Sequence, residues 1–158
     1  MSAYADFFIR WKDEFIPIAD YSRSHEIYEI VHEFAPWEKI RAVSTNDLEK
    51  FISAAEKQIN ECQERVKQYQ ERIQLVSTFN NTVDEKLSVL SDYDEAIDEL
   101  KCYINEATVA YDFFTMLAYK MIPAVKYNKN FGIDYEHYIY VGLEVDQPTV
   151  EDIVNDAT

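Results

Sequence analysis

Glycine is almost missing from this chain, with two among 158 residues, and proline is nearly as scarce with four. So few turn formers exclude a loop-rich fold of many short strands and favour long helices. Two cysteines exclude a disulfide framework. No apolar run is long and charge-free enough to cross a bilayer. Basic residues are short as well: 15 Lys and Arg stand against 30 Asp and Glu, a net charge of -15. That balance opposes direct contact with nucleic acid or with an anionic membrane. Met1 to Phe15 lacks the basic and plain apolar segments of a secretory signal, so a cytoplasmic location is the expectation.

Catalytic signatures are missing too. No P-loop, G-x-G-x-x-G, C-x-x-C pair or Ser/His/Asp pattern occurs, and two glycines leave no flexible loop to cradle a phosphate. No cofactor is expected, and the chain does not read as an enzyme.

What is present is apolar and periodic. Hydrophobic residues make up 47% of the chain, enough for a core and too many for a disordered segment. From Ser44 to Phe79 they fall on a heptad stripe. Leu48, Ala55, Cys62, Tyr69 and Val76 occupy one position, and Ile52, Ile59, Val66 and Ile73 the other. A stripe this narrow marks a coiled-coil seam. Ser44, Thr45 and Asn46 supply capping side chains at its start, and Asn80-Asn81 breaks it. Thr82 with Glu85 then reads as a second capping box, opening a helix that reaches Ile122 before Pro123.

This second helix repeats the stripe with Leu90, Ile97, Ile104, Tyr111 and Ala118, and with Tyr93, Leu100, Ala107, Phe114 and Met121. So short a link allows only an antiparallel return. The register agrees: Ile73 with Leu90, Tyr69 with Tyr93, Val66 with Ile97 and Cys62 with Leu100 have position numbers that add to 162 or 163. A chain folding back on itself requires this agreement, and pairing between molecules does not. From Cys102 onward the helix is apolar nearly all round and should be buried on every side, which makes the open end of the hairpin the core. A second copy of the chain is an alternative cover for that extra apolar face, and strand edges near Ile139 are another route to a homodimer.

The expected fold is therefore mainly α, one domain in three parts. Residues 1–43 form two short aromatic helices, one carrying Tyr4, Phe7, Phe8, Trp11 and Phe15, the other running from about Ser24 to Phe34. Residues 44–122 form the hairpin, with helices over about 45–79 and 82–122. Residues 123–158 hold a strand over 135–145, paired with Ala124 to Tyr127, and a last short helix from Pro148 to Val154.

Three constellations have chemistry to weigh. His25, Glu29, His32 and Glu33 share a helix face with one E-x-x-H spacing, but a carboxylate-bridged metal pair needs a second copy, and Asp134 with His137 is a poor substitute. Asp94, Glu95, Asp98 and Glu99 resemble the acidic helix of all-helical nucleotide pyrophosphatases, yet they form a row without converging oxygens from the facing helix. No metal site is expected from either. Cys62 lies on the seam and Cys102 faces away from it, so the two should not bond.

The remaining signal is charge, and the turn end of the hairpin, roughly Arg65 to Glu95, should project as a two-helix arm. Five acidic and no basic residues stand between Leu87 and Leu100. Asp92, Asp94, Glu95, Asp98 and Glu99, with Tyr69 and Tyr93, are the candidate contact residues for a protein partner, although Arg65 near Glu99 and Arg72 near Asp92 should neutralise part of the row. The functional expectation is a non-enzymatic interaction protein: adaptor, assembly factor or inhibitor. An alternative is a DNA mimic of the phage inhibitor type, whose carboxylates occupy a nucleic-acid-binding protein, since carboxylates three and four apart on a helix approach phosphate spacing.

Overall fold

The computed structural model describes residues 4–11, 14–22, 24–32, 41–121 and 138–143. Its frame is the helical hairpin. The first long helix, α2 (Thr45–Val76), follows α1 (Glu26–Val31), and α3 (Val83–Met116) returns antiparallel along it. Leu48, Ala55, Cys62 and Val76 are buried from one side of the seam, and Ile97, Leu100, Ala107 and Phe114 from the other. The Tyr69 and Tyr93 rings stand 5.7 Å apart, as the predicted register requires.

The helix ends explain where the chain turns. Ser44 Oγ accepts the Asp47 N–H at 3.2 Å and the Asp47 carboxylate accepts the Ser44 N–H at 3.1 Å, a reciprocal cap. α2 stops at Val76, three residues before the expected Phe79. Thr78 and Phe79 donate back to the carbonyls of Leu75 and Val76, and Lys86 Nζ reaches the Ser77 carbonyl, closing the exposed helix end. At the start of α3 only half of the expected box forms: Thr82 Oγ1 accepts the Glu85 N–H, while the Glu85 carboxylate takes the Asn81 amide at 2.8 Å. The far end of α3 widens into a π-helical turn, Leu117–Met121; Ile122 lies outside the described residues.

The N-terminal aromatic segment corrects the sequence reading. It is two strands, β1 (Tyr4–Trp11) and β2 (Glu14–Ser22), paired antiparallel. Phe7, Phe8 and Phe15 mimic a helical spacing because aromatics lie on both faces of this hairpin, which hides the period of two. Ala5, Phe7 and Ile9 join the main core, whereas Phe8 and Phe15 cluster with Tyr140 on the opposite face. Aromatic and β-branched side chains suit such a surface better than a helix. Phe7 pairs with Ala19 and Phe8 with Pro17, so Ile18 is an extra residue in β2. Pro17, which has no N–H to offer a ladder, sits at this bulge on an edge strand. The second expected helix is present as α1, shorter than predicted, and Glu33 and Phe34 lie outside the described residues.

The C-terminal strand is also corrected in its pairing. β4 (Tyr138–Leu143) lies between β1 and β3 (Arg41–Ser44), antiparallel to both, in a sheet of order β2-β1-β4-β3. Ile139 is therefore central, and the sheet edges belong to β2 and β3. Ala124 to Tyr127, the flanks of the 135–145 run and the expected 148–154 helix lie outside the described residues.

The inner sheet face closes the open end of the hairpin. Phe7 meets Phe113 at 5.1 Å and Phe114 at 6.2 Å, and Phe51 meets Phe114 at 5.1 Å. α1 packs on both long helices, with Ile27, Tyr28 and Val31 buried and Glu106 Oε2 accepting the Glu26 N–H at 3.1 Å. With α2 on one side of α3 and β1 and α1 on another, a third flank stays open. Cys102, Val109, Met116 and Tyr119 are exposed there, so residues 102–121 are not buried all round as expected.

Two carboxyl groups, Asp6 and Glu26, are placed so that folding should depend on pH in the acid range. Asp6 stands opposite Asp20 across β1 and β2, and burial first, then the Asp20 charge, pushes its carboxyl up. Burial, Glu106 and Glu29 push Glu26 up in the same way. A raised folded-state value means the native protein holds these protons more tightly than the unfolded chain. Their contribution therefore favours folding below about pH 4 and declines as pH rises through the raised values. Asp6→Asn with Glu26→Gln should raise the urea midpoint near neutral pH and shrink the gain seen on moderate acidification. An unchanged difference between the two pH values would count against this. Separately, Thr115 Oγ1 is buried without a hydrogen-bond partner among the described residues. Thr115→Val should stabilise by about 1 kcal/mol in urea unfolding.

Candidate docking surface on the helical arm

Beyond the core the hairpin projects as a two-helix arm. Between Gln63 and Ala96 only Val76 is fully buried, so each exposed side chain here is presented by a rod with no third layer behind it. Asp92, Asp94, Glu95, Asp98 and Glu99 are all exposed on α3.

The expected neutralisation by arginines is not made as ion pairs. Among the described residues no ion pair crosses from α2 to α3; Lys57 meets Glu61 within α2 at 3.8 Å. Arg72 instead lies over the Tyr69 ring, 5.5 Å from its centre, and Arg65 Nη2 donates to the Tyr69 hydroxyl at 3.3 Å. That hydrogen bond raises the Arg65 guanidinium value most, with Glu99 adding a weaker field effect. The ring and hydroxyl of one tyrosine thus occupy both cations. Glu99 accepts the Tyr103 hydroxyl at 2.9 Å, and this bond leads the upward shift of that phenol.

Tyr69 and Tyr93 were expected to meet a partner together with the acidic row. The structure places them on the seam, half-buried, their rings tilted 41° against each other. They hold the arm together more than they present it.

The apolar bend went unread. Among the described residues, five of the eight exposed large apolar side chains lie between Leu75 and Val89, which concentrates them at one end of the molecule. Leu75 is 54% exposed, Phe79 49%, Val83 71% and Leu87 58%. The signal was available: Leu75, Leu87 and Val89 are apolar residues off the heptad stripe, where a soluble arm ordinarily carries polar ones. On α3, Leu87, Asp94 and Asp98 are seven and four residues apart and so share one face. The acidic row thus begins where the apolar bend ends.

The other constellations behave as local structure. His25 Nδ1 accepts the Ile27 N–H at the start of α1, and His32 Nδ1 lies 3.2 Å from the Tyr28 hydroxyl. Glu33, Asp134 and His137 lie outside the described residues. Among those described, no three His, Cys, Asp or Glu side chains are grouped to hold a metal. Cys62 is buried and Cys102 exposed, both free. A cleft between α1 and α2 is lined by Glu26, Glu29, Lys50 and Gln58 around Ile30, Phe51 and Ala54. Gln58 Nε2 donates to Glu26 Oε2 at 3.3 Å across it, binding the two helices to each other.

The tyrosine contact can be measured. Tyr69→Ala should cost about 2 kcal/mol, and Tyr93→Ala should cost about 1 kcal/mol less in that background than alone. Strict additivity in the urea double-mutant cycle would mean that the rings do not support each other.

Compared with protein-family models, with curated proteins and with solved structures, the chain matches none of them.

Proposed function

We propose that this protein is a non-enzymatic interaction module, an adaptor, assembly factor or inhibitor, that docks on a protein partner through its projecting arm. The observation that carries the reading is the concentration of exposed apolar side chains near the bend, Leu75, Phe79, Val83 and Leu87. Large apolar side chains gathered on an exposed part of a protein mark interaction sites. The bend lies beyond the core, at the end of a rod whose remaining surface is polar, so these residues contribute nothing to closing the sheet end. A row of exposed carboxylates beside it, Asp92 to Glu99, supplies a field that steers and selects a partner.

The second reading is mimicry of DNA, with those carboxylates replacing phosphates on a nucleic-acid-binding protein. Their exposure along one helix, with no ion pair to α2 among the described residues, favours it. The apolar bend weighs the other way, because a phosphate mimic has no use for four aliphatic and aromatic side chains next to its charges.

Charge reversal of Asp92, Asp94, Glu95 and Glu99 to Lys, tested by affinity capture from the native cell with mass spectrometry, separates these ideas from no contact at all. The expected result is loss of the partners captured by the unaltered protein, with helical circular dichroism unchanged. Full retention of those partners would remove the arm as the contact surface. Release of the captured protein by added DNA would favour the mimic.

A further inference from the structure

Resting on the docking reading, we infer that the arm receives a basic amphipathic helix, with that helix's apolar end against the bend and its Lys or Arg residues along Asp94 and Asp98. Leu87, Asp94 and Asp98 share one exposed face of α3. By helical rise, Asp94 is about 10 Å and Asp98 about 16 Å from the level of Leu87. A helix laid alongside has the same rise, so it matches this face with an apolar residue followed by cations about seven and eleven positions on.

Charge complementarity selects the occupant. From Leu87 to Leu100 the helix carries five carboxylates and no basic residue, all five carboxylates are exposed, and no arginine of α2 closes an ion pair with them. A second copy of this chain would bring its own acidic row, and its net charge of -15, against the first. Like charges opposed across an interface are costly. An apolar helix without cations would leave the carboxylates unmatched, and a polycation without an apolar end would leave Val83 and Leu87 in water. An amphipathic helix with a basic face satisfies both ends of the surface at once.

The probe is a set of synthetic helical peptides of about five turns, added to the full chain and followed by fluorescence anisotropy and by amide chemical shifts. The first carries leucines over its opening turns and lysines beyond them on one face. The second replaces those leucines by serine, and the third replaces those lysines by glutamate. The first peptide is expected to bind with shifts confined to residues 75–99, and the other two at least about tenfold more weakly. Phe79→Ser with Leu87→Ser, and separately Asp94→Lys with Asp98→Lys, should each weaken the first peptide by a similar factor. Both pairs are exposed, so unchanged circular dichroism and an unchanged urea midpoint keep the comparison valid.

Equal binding of the serine peptide would overturn the inference by reducing it to bulk charge attraction. Insensitivity to both substituted pairs, or shifts that map to the sheet or to the Val109–Tyr119 flank, would overturn it as well. A dimer by light scattering that dissociates on Phe79→Ser with Leu87→Ser would make the occupant a second copy. If no peptide binds while charge reversal still abolishes native capture, the arm remains the docking surface and only the chemistry assigned to the partner fails.

Discussion

Everything in this molecule is placed by the packing of α2 against α3 along one narrow apolar stripe. A helix of about thirty residues with such a stripe is marginal alone, because its seam would face water. Folding back at Ser77–Thr82 lets each helix bury the other's seam without a second chain. The turns that close α2, the lysine on the Ser77 carbonyl and the Thr82 cap that opens α3 make this bend a stop rather than a kink. Once the rods are zipped, their open end offers Phe51, Phe113 and Phe114 as a platform, and the sheet has an apolar surface to lie on.

The division of labour along the hairpin follows from where a third layer is present. Near the sheet, side chains off the seam are still useful, and Phe113 and Ala110 are buried against β1 and α1. Past Gln63 and Ala96 no described element lies behind the rods, and residues off the seam are free to be charged or, at the bend, apolar. The acidic row and the apolar bend therefore occupy the part of the chain that folding constrains least. Substitutions there change what the surface offers without disturbing the core.

Much of the hairpin was legible before the structure because a heptad stripe has one physical meaning and a short link allows one return direction. The Tyr69–Tyr93 pairing follows from those two facts. The N-terminal segment was misread because its aromatics serve two cores, Phe7 one face and Phe8 the other, and alternation is invisible when both faces are apolar. The partner of β4 was misread for a different reason. Nothing local in Tyr138–Leu143 says that Phe7 and Val43, more than ninety positions earlier, flank it. In the candidate site the carboxylates are legible from charge density alone, whereas Leu75 and Leu87 show only as apolar residues off the stripe, a weaker signal that leaves the heptad period itself intact. The arginines were assigned to carboxylates when a tyrosine ring was nearer.

The central place of β4 in the sheet has a consequence for how the chain acquires its shape. The rods can zip from the bend outward as soon as α3 has been made, since their innermost contacts join residues close in sequence. β1 and β2 can pair as a local hairpin at any earlier time. Yet among the described strands β1 and β3 have no ladder to each other and meet through residues 138–143. Among the described strands, the ladder that joins β1 to β3 therefore waits for that late stretch to be synthesised, and until then their facing amides and carbonyls lack this partner.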